Sequence, residues 1–128
     1  MTEAKYTCDE DILCGVNLPK DINALSELEQ KHLPVISAPD KVSKDEIFEV
    51  TLEIGKYKSH PNEPTHFIEW VELYCAETFL LRVNLSGSLS FPKVKIPVKL
   101  SHAHGPLKAH AKCNIHGLWE GVKAIEVT

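Results

Sequence analysis

Three short segments of the sequence carry histidine and cysteine side chains of the kinds that bind transition metals. The first, CNIHGLW at residues 113–119, places Cys113 and His116 three residues apart, so one tight turn could present a thiolate and an imidazole to the same ion. Gly117 gives the backbone extra freedom just beyond the pair. A Cys-x-x-His pair is a weak signal alone, because a buried cysteine near an unrelated histidine has the same spacing.

The other two segments place histidines close to prolines. HPNEPTH at residues 60–66 puts His60 and His66 on a loop that its prolines stiffen, and stiffness helps to preorganise a site. QKHLP at residues 30–34 puts His32 at the end of a predicted helix. Each segment also has an ordinary explanation, since loop histidines are often solvated and a histidine at a helix C-terminus is favoured by the helix dipole.

Taken in order, the three segments resemble the superoxide reductase family, also described as the desulfoferrodoxin and neelaredoxin group. The family pattern is Glu-Lys-His-x-Pro, then His-Pro-x-x-x-x-His-x-Ile-x-Trp, then Cys-Asn-x-His-Gly-x-Trp, and the resemblance covers roughly residues 29–121. It implies a non-haem iron oxidoreductase that detoxifies superoxide, reducing it to hydrogen peroxide with electrons from an external donor. It also implies an immunoglobulin-like, seven-stranded antiparallel β-sandwich.

The same resemblance implies a site with one iron ion per chain, cycling between ferrous and ferric states. Four histidines and an axial cysteine thiolate would hold the iron beside a catalytic lysine. In this sequence these residues are His32, His60, His66, His116, Cys113 and Lys31. Five ligands leave one iron position open, whereas structural zinc is usually closed at four. A lysine ammonium near that position would steer the superoxide anion and stabilise developing negative charge.

The chain departs from the family pattern at two places. Gln30 stands where the family has a glutamate that can occupy the sixth iron position, and an uncharged amide is a poor iron ligand. Glu29 would point about 100° away on a helix, so we do not expect it to substitute. Cys8 and Cys14 cannot by themselves complete the four-cysteine iron site that some relatives carry in an extra domain, which implies the one-iron type.

Composition and charge limit the classes of protein. The chain has 128 residues, 43% of them apolar and 25% charged, which suits a single globular domain. No apolar stretch approaches the ~18 residues of a membrane span, and the acidic N-terminus lacks the apolar region of a secretory signal. We therefore expect a protein without membrane association that is cytoplasmic, or exported by a route that its sequence does not show. A net charge of −4 with scattered lysines and arginines argues against nucleic-acid binding.

Several cysteines and histidines lie outside the pattern or have uncertain partners. The spacing of the four cysteines matches no disulfide framework: Cys8, Cys14, Cys75 and Cys113. Cytosolic cysteines more often bind metal or act in catalysis than form cross-links, and we expect Cys75 to be a small buried hydrophobic residue. We expect three histidines to lie outside any metal site: His102, His104 and His110. On a regular strand His110 would face away from Cys113.

A mostly β chain must position these side chains. We predict an N-terminal arm over residues 1–17 and one iron-binding β-sandwich domain over residues 18–128. Helical spacing predicts a short helix over residues 19–31, which Pro34 stops. Apolar runs predict strands at 33–37, 47–54, 66–75, 79–85, 94–100, 107–113 and 123–127. Pro92 and Pro97 favour an edge position for the fifth strand, and the glycines at 117–121 indicate a turn.

The sequence also leads to expectations about protein partners and leaves two alternative functions open. By the resemblance, a rubredoxin-like protein would supply electrons, and the chain would form a homodimer or homotetramer. A zinc- or copper-binding β-sandwich that carries or senses metal without catalysis is a second hypothesis. A non-catalytic interaction module with the same fold is a third. Metal analysis of protein purified without added metal separates the first two hypotheses, and mutation of the motif histidines tests the third.

Overall fold

The computed structural model describes Cys8 and residues 11–128; residues 1–7 and 9–10 of the predicted arm lie outside the described residues. One helix, α1 (Glu27–His32), and ten strands occur in the described part of the chain. Seven strands have at least four residues: β2 (Pro34–Ser37), β4 (Ile47–Ile54), β5 (Ile68–Cys75), β6 (Thr78–Asn84), β7 (Lys93–Lys99), β8 (Leu107–Cys113) and β9 (Gly117–Lys123). The other three have two residues each: β1 (Val16–Asn17), β3 (Lys41–Val42) and β10 (Glu126–Val127).

The strands form two main sheets and one short pair. One sheet has the order β1-β9-β8-β5-β6, the second has the order β2-β4-β7, and β10 pairs with β3. Every pairing between two of the seven longer strands is antiparallel. The prediction of an all-β antiparallel sandwich is confirmed. The first six of the seven expected strands correspond to β2, β4, β5, β6, β7 and β8, whereas β9 lies mostly outside the strand expected at residues 123–127. No helix in the described part of the chain has both the length and the apolar character needed to cross a bilayer.

The core lies between the inward faces of the two sheets. Alternation on β4 buries the side chains that the sequence pattern assigned to one face: Phe48, Val50, Leu52 and Ile54. Alternation on β8 likewise buries four side chains: Leu107, Ala109, Ala111 and Cys113. Because Cys113 is the last inward residue of β8, the periodicity that builds the core also turns this thiol towards the interior.

Strand β5 contains an irregularity that the sequence pattern did not predict. We expected regular alternation, with Ile68 and Trp70 on one face. In the structure the pairing of β5 with β8 shifts register between Ile68 and Trp70, and Ile68 is buried together with Val71 and Leu73. A bulge of this kind inserts one extra residue and re-aims the neighbouring side chains. It lies at the start of β5, shortly after the predicted ligand His66.

The predicted helix over residues 19–31 is correct only in its last turns. Residues 19–26 are not helical, because Asp21 makes a local turn in which its side chain accepts from the Asn23 amide and its carbonyl accepts from the Ala24 amide. The helix begins after Ser26, whose side chain and that of Glu29 form a capping box. It ends at His32, before Pro34, as expected.

The predicted turn at residues 117–121 is wrong, since β9 runs through it, and the predicted last strand at 123–127 is divided between the end of β9 and β10. Gly121 marks a close approach of strands here: a Cβ atom on this residue would lie 1.9 Å from the Pro34 carbonyl oxygen.

The edge position expected from Pro97 is confirmed, because β7 is the last strand of its sheet and pairs only with β4 within the described residues.

Gly121→Ala should therefore destabilise the protein by about 1–3 kcal/mol, because the added methyl group can be placed only by separating β9 from β2. Urea unfolding followed by tryptophan fluorescence measures the change in the free energy of unfolding. Val122→Ala, at the next and 61% exposed position, is the matched control and should change stability by no more than about 0.5 kcal/mol. A Gly121→Ala protein as stable as the control would contradict the close approach.

Candidate metal centre

Four histidine rings form a closed cycle at one end of the sandwich. Their neighbouring ring centroids are 4.7 Å apart for His32 and His60, 4.8 Å for His60 and His66, 4.9 Å for His66 and His116, and 4.8 Å for His116 and His32. Every neighbouring pair is arranged edge to face. These are the four histidines selected by the sequence, and they come from three distant segments of the chain.

Backbone carbonyls fix the orientation of two of these rings. His32 Nδ1 lies 2.7 Å from the Leu28 carbonyl oxygen, and His60 Nδ1 lies 2.6 Å from the Pro61 carbonyl oxygen. A carbonyl only accepts, so Nδ1 donates in both rings and each Nε2 is left with a lone pair. The two Nε2 atoms are 3.2 Å apart. Neither carries a proton to share, so this approach is unfavourable unless a cation lies between them.

Burial keeps these imidazoles uncharged. His32 is 1% exposed and His60 is 8% exposed. Desolvation is the main cause that lowers the pKa of each to about 4, with the neighbouring histidines adding to the effect. Both rings are therefore neutral at pH 7, which is the state in which histidine binds a metal.

His66 supplies a direct test of whether a metal fits this place. Its Nε2 atom is buried and has no hydrogen-bond partner among the described residues. A buried polar atom without a partner is costly, and native proteins rarely retain one without a role. A metal ion accepts the lone pair of such a nitrogen. The observation therefore agrees with a cation bound at the centre of the four rings.

The Cys113 sulfur lies against the same space. It is fully buried, is a free cysteine, and is 3.3 Å from His60 Nε2 and 3.7 Å from His116 Nδ1. Burial raises the pKa of its thiol, while the backbone N–H groups of Ile115 and His116 donate to the sulfur and oppose that rise. A bound metal would deprotonate the thiol, and the two N–H groups would then stabilise the thiolate.

The predicted ligands are not equally close to one another. The donor atoms of His32, His60, His66 and Cys113 all lie within 4.8 Å of one another. His116 completes the cycle of rings but stands outside this tightest group. Trp119 lies behind the cluster: its ring stacks on His32 at 5.1 Å, and its Nε1 donates to the His116 carbonyl oxygen at 2.9 Å. The tryptophan thus holds the two ligand segments together and covers one ring.

Asn114 fastens the loop that carries His66 to the turn that follows Cys113, a role that the sequence motifs did not reveal. Its side-chain oxygen accepts from the Phe67 amide at 3.0 Å, and its side-chain nitrogen donates to the Thr65 carbonyl oxygen at 2.9 Å. Its own amide donates to the Phe67 carbonyl oxygen. Asparagine is common in turns, so the sequence alone gives Asn114 an ordinary explanation. Only the fold shows that its side chain bonds to the backbone of Thr65 and Phe67.

The N-terminal segment packs against the turn that carries His116. Gly117 has a φ of +83°, and a Cβ atom there would lie 2.2 Å from the Ile12 carbonyl oxygen. The Asn17 side chain donates to the Ile12 and Leu118 carbonyl oxygens, and β1 pairs with the start of β9. Gly117 is thus required both by its backbone conformation and by this contact.

The expectation that the cysteines would not be cross-linked is wrong for Cys8 and Cys14, which form a disulfide. The Asp11 amide donates to the Cys8 carbonyl, and the Cys14 amide donates to the Asp11 carbonyl. The spacing of the two cysteines alone does not encode these hydrogen bonds. The disulfide belongs to the segment that contacts Gly117.

The remaining histidines lie away from the four rings. His110 contacts Glu120 at 3.0 Å on the outer side of the sheet, whereas Cys113 of the same strand points inward. His102 and His104 lie against each other beyond the opposite end of β8, with ring centroids 4.5 Å apart. Cys75 is buried in the core, as expected.

A cavity of about 350 Å³ opens on the outer side of the rings. It is lined by Glu27, Leu28, Lys31, His32, Pro61, His66 and His116. Gln30 contributes nothing to it, because its amide donates to the Leu25 carbonyl oxygen. The Glu29 carboxylate is also engaged elsewhere, accepting from the Ser26 and Lys20 amides. The expectation that Glu29 does not replace the family's glutamate agrees with this geometry.

Comparisons with known proteins agree with the sequence pattern. The profile of the Desulfoferrodoxin family matches residues 24–122. The chain is 36% identical over 106 residues to the superoxide reductase of Pyrococcus horikoshii, covering 76% of this chain and 89% of that protein. It is 33% identical over 113 residues to the neelaredoxin of Megalodesulfovibrio gigas, covering 75% and 87% respectively. The solved structure of superoxide reductase (neelaredoxin) from Ignicoccus hospitalis has a TM-score of 0.76 at 35% identity, covering 88% of this chain and 95% of that chain.

Asn114→Ala should weaken metal binding by about 10–100-fold, because it releases the loop that positions His66. Competition with a chromophoric chelator for Fe²⁺ measures the affinity. Asn84→Ala, which removes an exposed asparagine on β6, is the control and should bind Fe²⁺ as the unaltered protein does. Equal affinities of the Asn114→Ala and Asn84→Ala proteins would show that the fastening does not support the site.

Proposed function

The chain belongs to the desulfoferrodoxin family, and we propose that it reduces superoxide to hydrogen peroxide at one iron ion held by His32, His60, His66, His116 and Cys113. The observation that carries this proposal is the convergence beside a buried sulfur of the His32 and His60 Nε2 lone pairs and of His66 Nε2, which has no partner among the described residues. Superoxide reductase is therefore the enzyme class of this chain, and iron is its metal.

The donor set supports iron over the zinc or copper alternative. Four imidazoles and one thiolate exceed the four ligands of a structural zinc site. The cavity beside His32, His66 and His116 leaves one side of the rings accessible to a small molecule. A redox-active metal with one open position suits this mixture of nitrogen and sulfur ligands. A metal carrier without catalysis is accordingly not favoured.

When bound, iron supplies one electron to superoxide, which takes up two protons from solvent and leaves as hydrogen peroxide. The residues around the site control access and charge. Trp119 shields the ring of His32, and the N–H groups of Ile115 and His116 stabilise negative charge on the Cys113 sulfur. Such hydrogen bonds to a ligand sulfur tune the reduction potential of its metal.

Lys31 acts on the substrate through its charge. Lys31 lines the cavity, and its positive charge adds to the effect of burial in lowering the pKa values of His60 and His116. A cation that acts on the ligand rings also acts on an anion that approaches them. Lys31 would therefore raise the local concentration of superoxide and stabilise the negative charge that forms during reduction.

The proposal also covers the electron donor, the oligomeric state, the cellular location and the domain boundaries. Reduction of superoxide consumes an electron at each turnover, so an external donor must resupply it, and we propose a rubredoxin-like protein. We further propose a homodimer or homotetramer in the cytoplasm. Residues 1–17 serve as an arm and residues 18–128 as the iron-binding domain. Contact of the arm with Gly117 gives it a structural role near the ligands.

Metal content and product analysis test the proposed function. Protein purified without added metal should contain about one iron per chain and, when oxidised, show a visible band from thiolate-to-iron charge transfer. The reduced protein should yield hydrogen peroxide from superoxide without the dioxygen that dismutation releases. A colourless zinc protein with no effect on superoxide decay would refute the proposal.

Lys31→Met should lower the second-order rate constant for superoxide by about 10-fold at low ionic strength and weaken its dependence on salt. Pulse radiolysis of the reduced protein measures the rate constant. Lys44→Met, which removes an exposed lysine outside the cavity lining, serves as the control for lost charge. If both variants retain the unaltered rate and salt response, Lys31 takes no part in the reaction.

A further inference from the structure

Two lysines contact the same carboxylate oxygen of Glu27, a residue that lines the cavity beside the histidine rings. Glu27 Oε1 lies 2.8 Å from Lys58 Nζ and 3.4 Å from Lys31 Nζ. The sequence pattern explains only half of this arrangement, since Glu27 and Lys31 are four residues apart on α1. Lys58 comes from the loop before His60, 31 positions along the chain from Glu27. An oxygen bound by two ammonium groups from separate segments marks a place where negative charge is favoured.

This place adjoins the open side of the histidine rings. Glu27 and Lys31 line the same cavity as His32, His66 and His116. Each lysine is close in sequence to a proposed ligand, since Lys31 precedes His32 and Lys58 lies two residues before His60. An anion that moves towards the rings through this cavity therefore passes Lys31 and the Glu27 carboxylate that Lys58 contacts.

Glu27 is the sole carboxylate among the residues that line the cavity. Hydrogen bonds from Lys58 and then Lys31 lower the pKa of its carboxyl group, so it carries a full negative charge. Its side chain is 63% exposed, and those of Lys58 and Lys31 are 47% and 31% exposed. Exposed ion pairs contribute little stability and are screened by salt, so an anion from solution can replace the carboxylate.

We propose that Lys31 and Lys58 form a binding site for small monovalent anions, which Glu27 fills until an incoming anion displaces it. Lys58 is then a second cation that guides the substrate, and Glu27 is a tethered competitor for the same place. The identity of that substrate as superoxide rests on the proposed function, whereas the anion site rests on the three side chains alone.

The reaction with superoxide gives one test, made on the iron-loaded, reduced full chain by pulse radiolysis. Lys58→Met should lower the second-order rate constant about 3-fold at low ionic strength, and Glu27→Gln should raise it about 2-fold. The differences should disappear at high salt. Lys56→Met removes an exposed lysine from the same loop, and Glu49→Gln removes an exposed carboxylate from β4, so both controls should follow the unaltered protein apart from a small effect of net charge.

Chloride provides a second test that is independent of activity. Line broadening of ³⁵Cl⁻ by the same iron-loaded proteins reports anion binding, and it should decrease in Lys58→Met and increase in Glu27→Gln relative to the two controls. If the unaltered protein does not react with superoxide but the variants show the expected changes in chloride binding, the proposed function is refuted and the anion site is supported. Unaltered protein that reacts normally, with Lys58→Met and Lys56→Met alike in both measurements, would overturn the anion site. A slower reaction in Glu27→Gln would overturn the role of Glu27 as competitor.

Discussion

The structure depends on the approach of lone pairs that repel one another unless a cation lies between them. His32 and His60 each use Nδ1 to donate to a carbonyl, which leaves their Nε2 atoms facing each other at 3.2 Å beside the Cys113 sulfur. His66 adds a buried nitrogen without a partner among the described residues. Burial keeps the His32 and His60 rings neutral and so prevents protonation from relieving the repulsion between their Nε2 atoms. One bound metal ion would satisfy all of these atoms together.

The fold holds this unfavourable arrangement in place through contacts outside the ligand set. The capping box of α1 fixes the helix that ends at His32, and the Asn114 side chain fastens the loop of His66 to the turn after Cys113. Trp119 joins the His32 ring to the His116 backbone. Since these groups are set by packing and hydrogen bonds among protein atoms, the site is preorganised for its metal.

The sequence predicts what depends on local pattern or on the family motifs. Alternation on β4 and β8 identifies their buried faces, and the three motifs select the four rings and the sulfur that the structure brings together. Contacts between segments that are far apart in the chain cannot be predicted from local pattern or from the motifs. Local hydrogen bonds of Asp21 prevent the helix that the spacing of apolar residues predicted. Gly121 was expected to form a turn, but it allows a close contact between β9 and Pro34. The contact between Lys58 and Glu27 likewise has no signature in the sequence, because it joins the loop before His60 to α1 across 31 positions of the chain.

The charge balance at the cavity follows from the same geometry. A chain with a net charge of −4 attracts an anionic substrate only through local arrangement of its lysines.

Iron K-edge X-ray absorption of the full chain, purified without added metal, tests the central claim most directly. We predict a first coordination shell of nitrogen with one sulfur neighbour, and loss of the sulfur contribution in Cys113→Ser. An iron shell without sulfur, or one that Cys113→Ser leaves unchanged, would contradict the account.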